Sequence, residues 1–148
     1  MIEKAIGLVM AWAPLPAHDY ENWAAWRILE PHGRFLWREQ GRSKSVADDP
    51  EFLNGLGVYL VFALGTFADA RPVLERALAA RERVLGADHP STLGSVNNLA
   101  YLYTSQRRHG EAEPLYERAV RGAEKVLGSA HPHTKLFRSN LESLRKSR

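Results

Sequence analysis

Six histidines and seventeen acidic residues are the material for chemistry in this 148-residue chain. His131-Pro132-His133, taken with His89 or His109, offers imidazoles to a metal ion. A pair at i and i+2 across a proline lacks the spacing that puts two ligands on one helix face. Glu111/Glu113 and Glu75/Glu82 pair carboxylates for acid–base work, but on solvated helix faces without the pocket such catalysis requires. No nucleophile–base motif is evident. Cysteine is absent, so disulfides, thiolate chemistry and cysteine zinc sites are excluded, and a reducing compartment is compatible. Gly55-x-Gly57 has no preceding strand and no third glycine, so it is not a nucleotide loop. The sequence therefore predicts no enzyme, with no catalytic residue, metal or cofactor.

Composition is that of a soluble globular protein, 45% hydrophobic and 25% charged, with length for a substantial core. A net charge of +3 is too small to argue for nucleic acid. The tail beyond Lys135 is basic, through Arg138, Arg145, Lys146 and Arg148, but only Phe137 interleaves an aromatic there, so a solvated terminus is expected. No stretch reaches the ~20 apolar residues of a membrane span. Ala11-Trp12-Ala13 faintly resembles a leader cleavage site. The preceding Glu3-Lys4 carries no net positive charge, and Gly7 interrupts a short run, so a first helix is expected.

The elements that position these residues follow from a repeat. Residues 70–99 laid on 112–141 share fourteen of thirty identities, against roughly two by chance. That excess establishes a 42-residue period, the mark of stacked helical units. Ala112, Leu115, Tyr116, Ala119, Val120, Ala123 and Leu127 form one apolar stripe on a helix predicted over 111–127. Pro114 sits in its first turn, where a missing N–H costs little. Gly86 and Gly128 end helices in the left-handed conformation, and Asp88-His89-Pro90-Ser91-Thr92 restarts the chain with a polar cap and a proline. The next helix carries Leu93, Val96, Leu99, Ala100 and Tyr103 and stops near Gly110.

One unit earlier, a helix over 50–64 is apolar nearly all round and thus buried on several sides. Its Gly55 and Gly57 each cost roughly 1 kcal/mol relative to alanine, which close helix–helix approach would offset. In front of the repeats, short helices are predicted over 2–12 and, capped by Asp19, through Glu30. A turn lies at 13–16, Pro31 forces a kink or a new start running to Trp37, and 41–49 is a connector. All four tryptophans (Trp12, Trp23, Trp26, Trp37) lie in this front segment, and core packing explains them better than a ligand cage. A last helix over 131–146 docks through Leu136, Phe137, Asn140, Leu141 and Leu144. It carries Glu142 and Arg145 where the previous copy has Ala100 and Tyr103, the polar outer face that closes a stack to solvent.

Leu99-Ala100, Tyr103, Ala112, Tyr116 and Ala119 resemble the spaced small and large positions of the tetratricopeptide repeat, in the 42-residue variety of kinesin light chains. The stretch from Trp23 and Arg27-Ile28-Leu29-Glu30-Pro31-His32 into Ala70–Leu78 is similar to the region before the repeats in bacterial NB-ARC signal-transduction ATPases. The phosphate-binding Gly-x-x-x-x-Gly-Lys-Ser/Thr is missing here. The resemblance implies an all-α, right-handed α-solenoid of antiparallel helix pairs. Its parts would be a cap and connector over 1–45, two repeats over 46–86 and 87–128, and a closing helix with basic tail over 129–148.

The resemblance also implies a concave groove lined by the first helix of each repeat. Its peptide-binding positions would be Tyr59, Phe62, Asn97, Asn98, Tyr101, Thr104 and Asn140. Ser105, Phe52, Leu56, Ala63, Ser139 and Ser143 fall on the same faces. Asparagine amides both donate and accept to an extended backbone, and tyrosines supply apolar area. The bland alternative is that Asn97 and Asn98 satisfy groups between packed helices. Expected is a cytoplasmic, non-catalytic module holding a protein or peptide partner, with self-assembly into a homo-oligomer as the alternative, and no nucleic acid or membrane.

Overall fold

The structure, a computed structural model, describes residues 23–38 and 49–147. Among them are six helices and no strand: α1 (Trp23–Arg38), α2 (Pro50–Phe62), α3 (Phe67–Leu85), α4 (Pro90–Ser105), α5 (His109–Leu127) and α6 (Pro132–Lys146). The all-α helical-repeat class is as expected. The helices predicted for 2–12, the turn at 13–16, the Asp19 cap, Trp12 and most of the connector lie outside the described residues. Two compact units divide the chain, one ending at Ala80 and the other beginning at Arg81, so α3 contributes to both.

In the first unit, Asp49 caps α2, its Oδ1 accepting from the Phe52 N–H at 2.7 Å, and Pro50 follows in the first turn. All nine residues Phe52, Leu53 and Gly55–Val61 are buried, as an all-round apolar helix requires. Both helical glycines mark close approach. A Cβ on Gly57 would lie 2.5 Å from Leu74 Cδ2 on α3, and one on Gly55 would lie 2.5 Å from Trp26 Cζ2 on α1. Of the two expectations at Pro31, a kink or a new start, the new start is not taken, because α1 continues through it. An interior proline removes one hydrogen bond and costs about 3 kcal/mol, so α1 is intrinsically weak.

In the second unit the repeated corner has a defined chemistry. Gly86 and Gly128 end α3 and α5 at positive φ (93° and 86°). Gly128 also has ψ 161°, outside the left-handed basin expected and in a mirror-extended region open essentially to glycine alone. The caps that restart the chain are the imidazoles. His89 Nδ1 accepts from the Ser91 N–H at 3.1 Å and His131 Nδ1 from the His133 N–H at 3.2 Å. Asp88, next to the first cap, instead pairs with Lys125 at 2.6 Å, which holds its carboxyl below the usual range. The other repeated corner needs a left-handed residue. Gly65 supplies it at φ 63° and Arg107, one period later, at φ 59°.

α4 packs on α5 and α5 on α6. Leu93 fills the space over Gly122, while Tyr116, Phe137, Leu141 and Leu144 are buried. Leu136 is an exception to the expected docking face and is 52% exposed. The outer side of α6 is polar as predicted: Glu142 is exposed, and Arg145 donates to Glu113 (2.8 Å) and Glu117 (2.7 Å) of α5. Arg81 is buried, donating to Ser91 O (2.8 Å) and Ser95 Oγ (2.7 Å). One period later the Arg81 and Ser95 positions hold Ala123 and Phe137, both apolar and buried.

Thr92 and Thr134 stand at one repeat position, both fully buried, with different partners. Thr134 Oγ1 donates to Gly128 O at 2.8 Å, whereas Thr92 Oγ1 has no partner among the described residues. Valine keeps the shape and removes the hydroxyl. Thr134→Val is therefore expected to lower stability by about 1 kcal/mol, and Thr92→Val to be neutral or stabilising. Urea denaturation of the two variants checks this, and equal losses would contradict the assignment.

Candidate functional site

Two helices of the second unit carry most of the predicted groove positions. α4 begins at its His89 cap and α6 at its His131 cap, so equivalent residues fall one period apart. Asn98 on α4 and Asn140 on α6 are such a pair. Asn140 Nδ2 donates to Asn97 Oδ1 at 2.9 Å, tying the two helices side by side. Asn97 is accordingly only 8% exposed. Thr104 is spent on packing: its Oγ1 donates to Ala100 O at 2.9 Å. Burial chiefly raises the Tyr116 phenol above its ordinary pKa, the nearby Thr104 hydroxyl opposing. Asn98 and Asn140 are half-buried, Ser139 and Ser143 exposed, and Tyr101 is 37% exposed one turn beyond Asn97. The second unit thus brings together Asn97, Asn140 and Asn98, with Tyr101 further along α4.

Tyr59 and Phe62 belong to the first unit. Phe62 is exposed, but Tyr59 is buried. The ring of Trp26 stacks on it, with centroids 6.1 Å apart and planes at 22°, and also meets Phe52 at 6.2 Å. Burial raises the Tyr59 phenol above its ordinary value and the Glu30 carboxylate of α1 adds to this, with Arg27 opposing. Trp26 is therefore a core residue over these positions, as the bland reading of the tryptophans holds for this one. Two residues escaped the sequence reading of the site. Trp26 covers a predicted groove face, its one sequence signal being the helix-interior Gly55. Leu136, expected to be buried, presents an apolar side chain to solvent on α6.

The repeat chemistry, the cap pair and the asparagine link across α4 and α6 describe a helical repeat, and comparison with protein-family models decides which. A model described as tetratricopeptide repeat matches residues 49–125, more than half of the chain. The chain belongs to the tetratricopeptide repeat family. Comparison with the curated proteins finds no match. The matched span opens at the Asp49 cap of α2 and closes within α5, leaving α1 and α6 outside it. Tetratricopeptide repeats are generally protein–protein interaction modules and are typically non-catalytic. Among the described residues no three His, Cys, Asp or Glu side chains are grouped to hold a metal. No described helix is long and apolar enough to cross a membrane.

Proposed function

We propose that the α4–α6 face of this tetratricopeptide protein holds a peptide or a partner helix. The supporting observation is the Asn140–Asn97 bond, which sets amide-bearing faces of two helices next to each other. On those same faces Tyr101 and Leu136 keep 37% and 52% of their surface exposed. Half-buried Asn98 carries an amide of the kind that pairs with a peptide backbone, and Tyr101 and Leu136 present apolar area. Asn97, Asn140 and Thr104 act in this proposal as the supports of the face. The 42-residue period supports a kinesin-light-chain-like type with repeats at 46–86 and 87–128. The 23–32 stretch supports a regulatory arm like that of the NB-ARC ATPases, in a cytoplasmic bacterial signalling setting.

The test is affinity. Peptides selected from a displayed library on the full chain are measured by fluorescence anisotropy. Asn98→Ala with Tyr101→Ala is expected to weaken the selected peptides at least tenfold, about 1.4 kcal/mol, because exposed tyrosines dominate such interfaces. Arg83→Ala with Arg121→Ala, on exposed positions of α3 and α5, is expected to change affinity less than twofold. Equal affinity in the first variant would move the binding surface elsewhere.

A further inference from the structure

The face of α2 that the repeat assigns to the groove is already filled. Phe52, Gly55 and Tyr59 follow one another at i, i+3 and i+7, the stripe one helix face presents. Trp26 of α1 lies on all three: 6.2 Å from the Phe52 ring, stacked at 6.1 Å on Tyr59, and against Gly55 so closely that a Cβ there would sit 2.5 Å from Trp26 Cζ2. Glycine inside a helix is unfavourable, and here its lack of a side chain makes the slot for the indole. α1 is held in the manner of a peptide ligand. Among its described side chains Trp26 alone is buried, whereas Ala24, Arg27 and Ile28 are exposed, and Pro31 interrupts its hydrogen bonding. A buried aromatic anchor on a helix that proline interrupts is the arrangement of a hot spot, and such an element opens locally before its surroundings.

We propose that Phe52, Gly55 and Tyr59 form a receptor slot for a tryptophan-anchored amphipathic helix, occupied at rest by the chain's own α1. An outside helix with the same anchor competes for it. The proposal rests on the reading of inner helix faces as recognition surfaces. It concerns α2, however, and is independent of Asn98 and Tyr101. Self-occupancy lowers the apparent affinity for a competitor by the fraction of open slot.

The probe is a fluorescein-labelled peptide of residues 23–38, added to the full chain. The Trp26→Ala chain is expected to bind it at least tenfold tighter than the unaltered chain. A probe with Trp26 replaced by alanine is expected to lose that binding. Adding Gly55→Ala to the Trp26→Ala chain closes the slot and is expected to abolish it. In the Asn98→Ala, Tyr101→Ala background the binding stays, which separates this slot from the α4–α6 face. Tightening below twofold in a Trp26→Ala chain that retains its helical circular dichroism overturns the proposal, as does binding indifferent to Gly55→Ala. Hydrogen exchange on the unaltered chain provides a second measurement. The α1 amides are expected to exchange at least a hundredfold faster than those of α2, and exchange of α1 only together with α2 overturns the proposal.

Discussion

Tyr116→Ala is expected to remove about 3–5 kcal/mol of folding stability, the range for deleting a large buried aromatic side chain. Tyr116 is 2% exposed at the centre of α5, and α5 packs on both α4 and α6. Tyr116→Phe keeps the ring and gives up only the hydroxyl, a loss of at most about 1 kcal/mol. pH separates the two groups of effects. Tyr116 and Tyr59 both hold their protons above the ordinary phenol value of 10.0, for which burial is the leading cause. A folded-state pKa raised in this way contributes stability that is complete below pH 10 and is lost as pH rises through the folded value. Urea melts from pH 8 to 11 are therefore expected to show a decline above pH 10, smaller in Tyr116→Phe. A flat profile would contradict the burial of these phenols.

Gly57→Ala carries the second large effect, and two opposing terms set its sign. Alanine is the better helix former by about 1 kcal/mol. The new Cβ would lie 2.5 Å from Leu74 Cδ2 and 2.6 Å from its Cγ. Leu74 is fully buried and its Cγ is near the backbone, so it has little room to turn aside. Overpacking of this kind costs about 1–3 kcal/mol, so a net loss of up to about 2 kcal/mol is expected. Leu74→Ala alone leaves a cavity. In the double variant the alanine methyl occupies part of that cavity, so the pair is expected to be more stable than the sum of the single losses by at least 1 kcal/mol. Thermal denaturation of the four proteins gives this coupling, and simple additivity would mean that α2 and α3 do not meet at Gly57.

The sequence made the corners legible and left the spending of side chains hidden. The fourteen shared identities gave the period, and because glycine and proline report backbone geometry directly, Gly86, Gly128, Pro90 and Pro132 located the helix ends within it. The conformation of Gly128 did not follow, because glycine is compatible with both positive-φ regions. The histidine caps were visible only as recurring His-Pro pairs, since several residues in Asp88–Thr92 are able to cap. Asn97 and Asn140 illustrate the limit at the site itself. Their types suit peptide binding, and whether they face a ligand or each other depends on how near α4 and α6 approach. That distance depends on the packing of buried residues such as Phe137 and Leu141, which lie on the same helix as Asn140. The weakness of Pro31 was legible, but tertiary contact through Trp26 outweighs local preference in α1. Arg81 gave no signal, since a buried guanidinium is recognisable only once Ser91 O and Ser95 are known to meet it.

Amide chemical-shift mapping of the full chain with a selected peptide tests the central claim directly. If the α4–α6 face is the recognition surface, the largest shifts fall at Asn98, Tyr101, Leu136 and Ser139, with Arg83 and Arg121 unmoved. Shifts centred on Arg83, Arg121 and Val126, with Asn98 and Tyr101 silent, would contradict it.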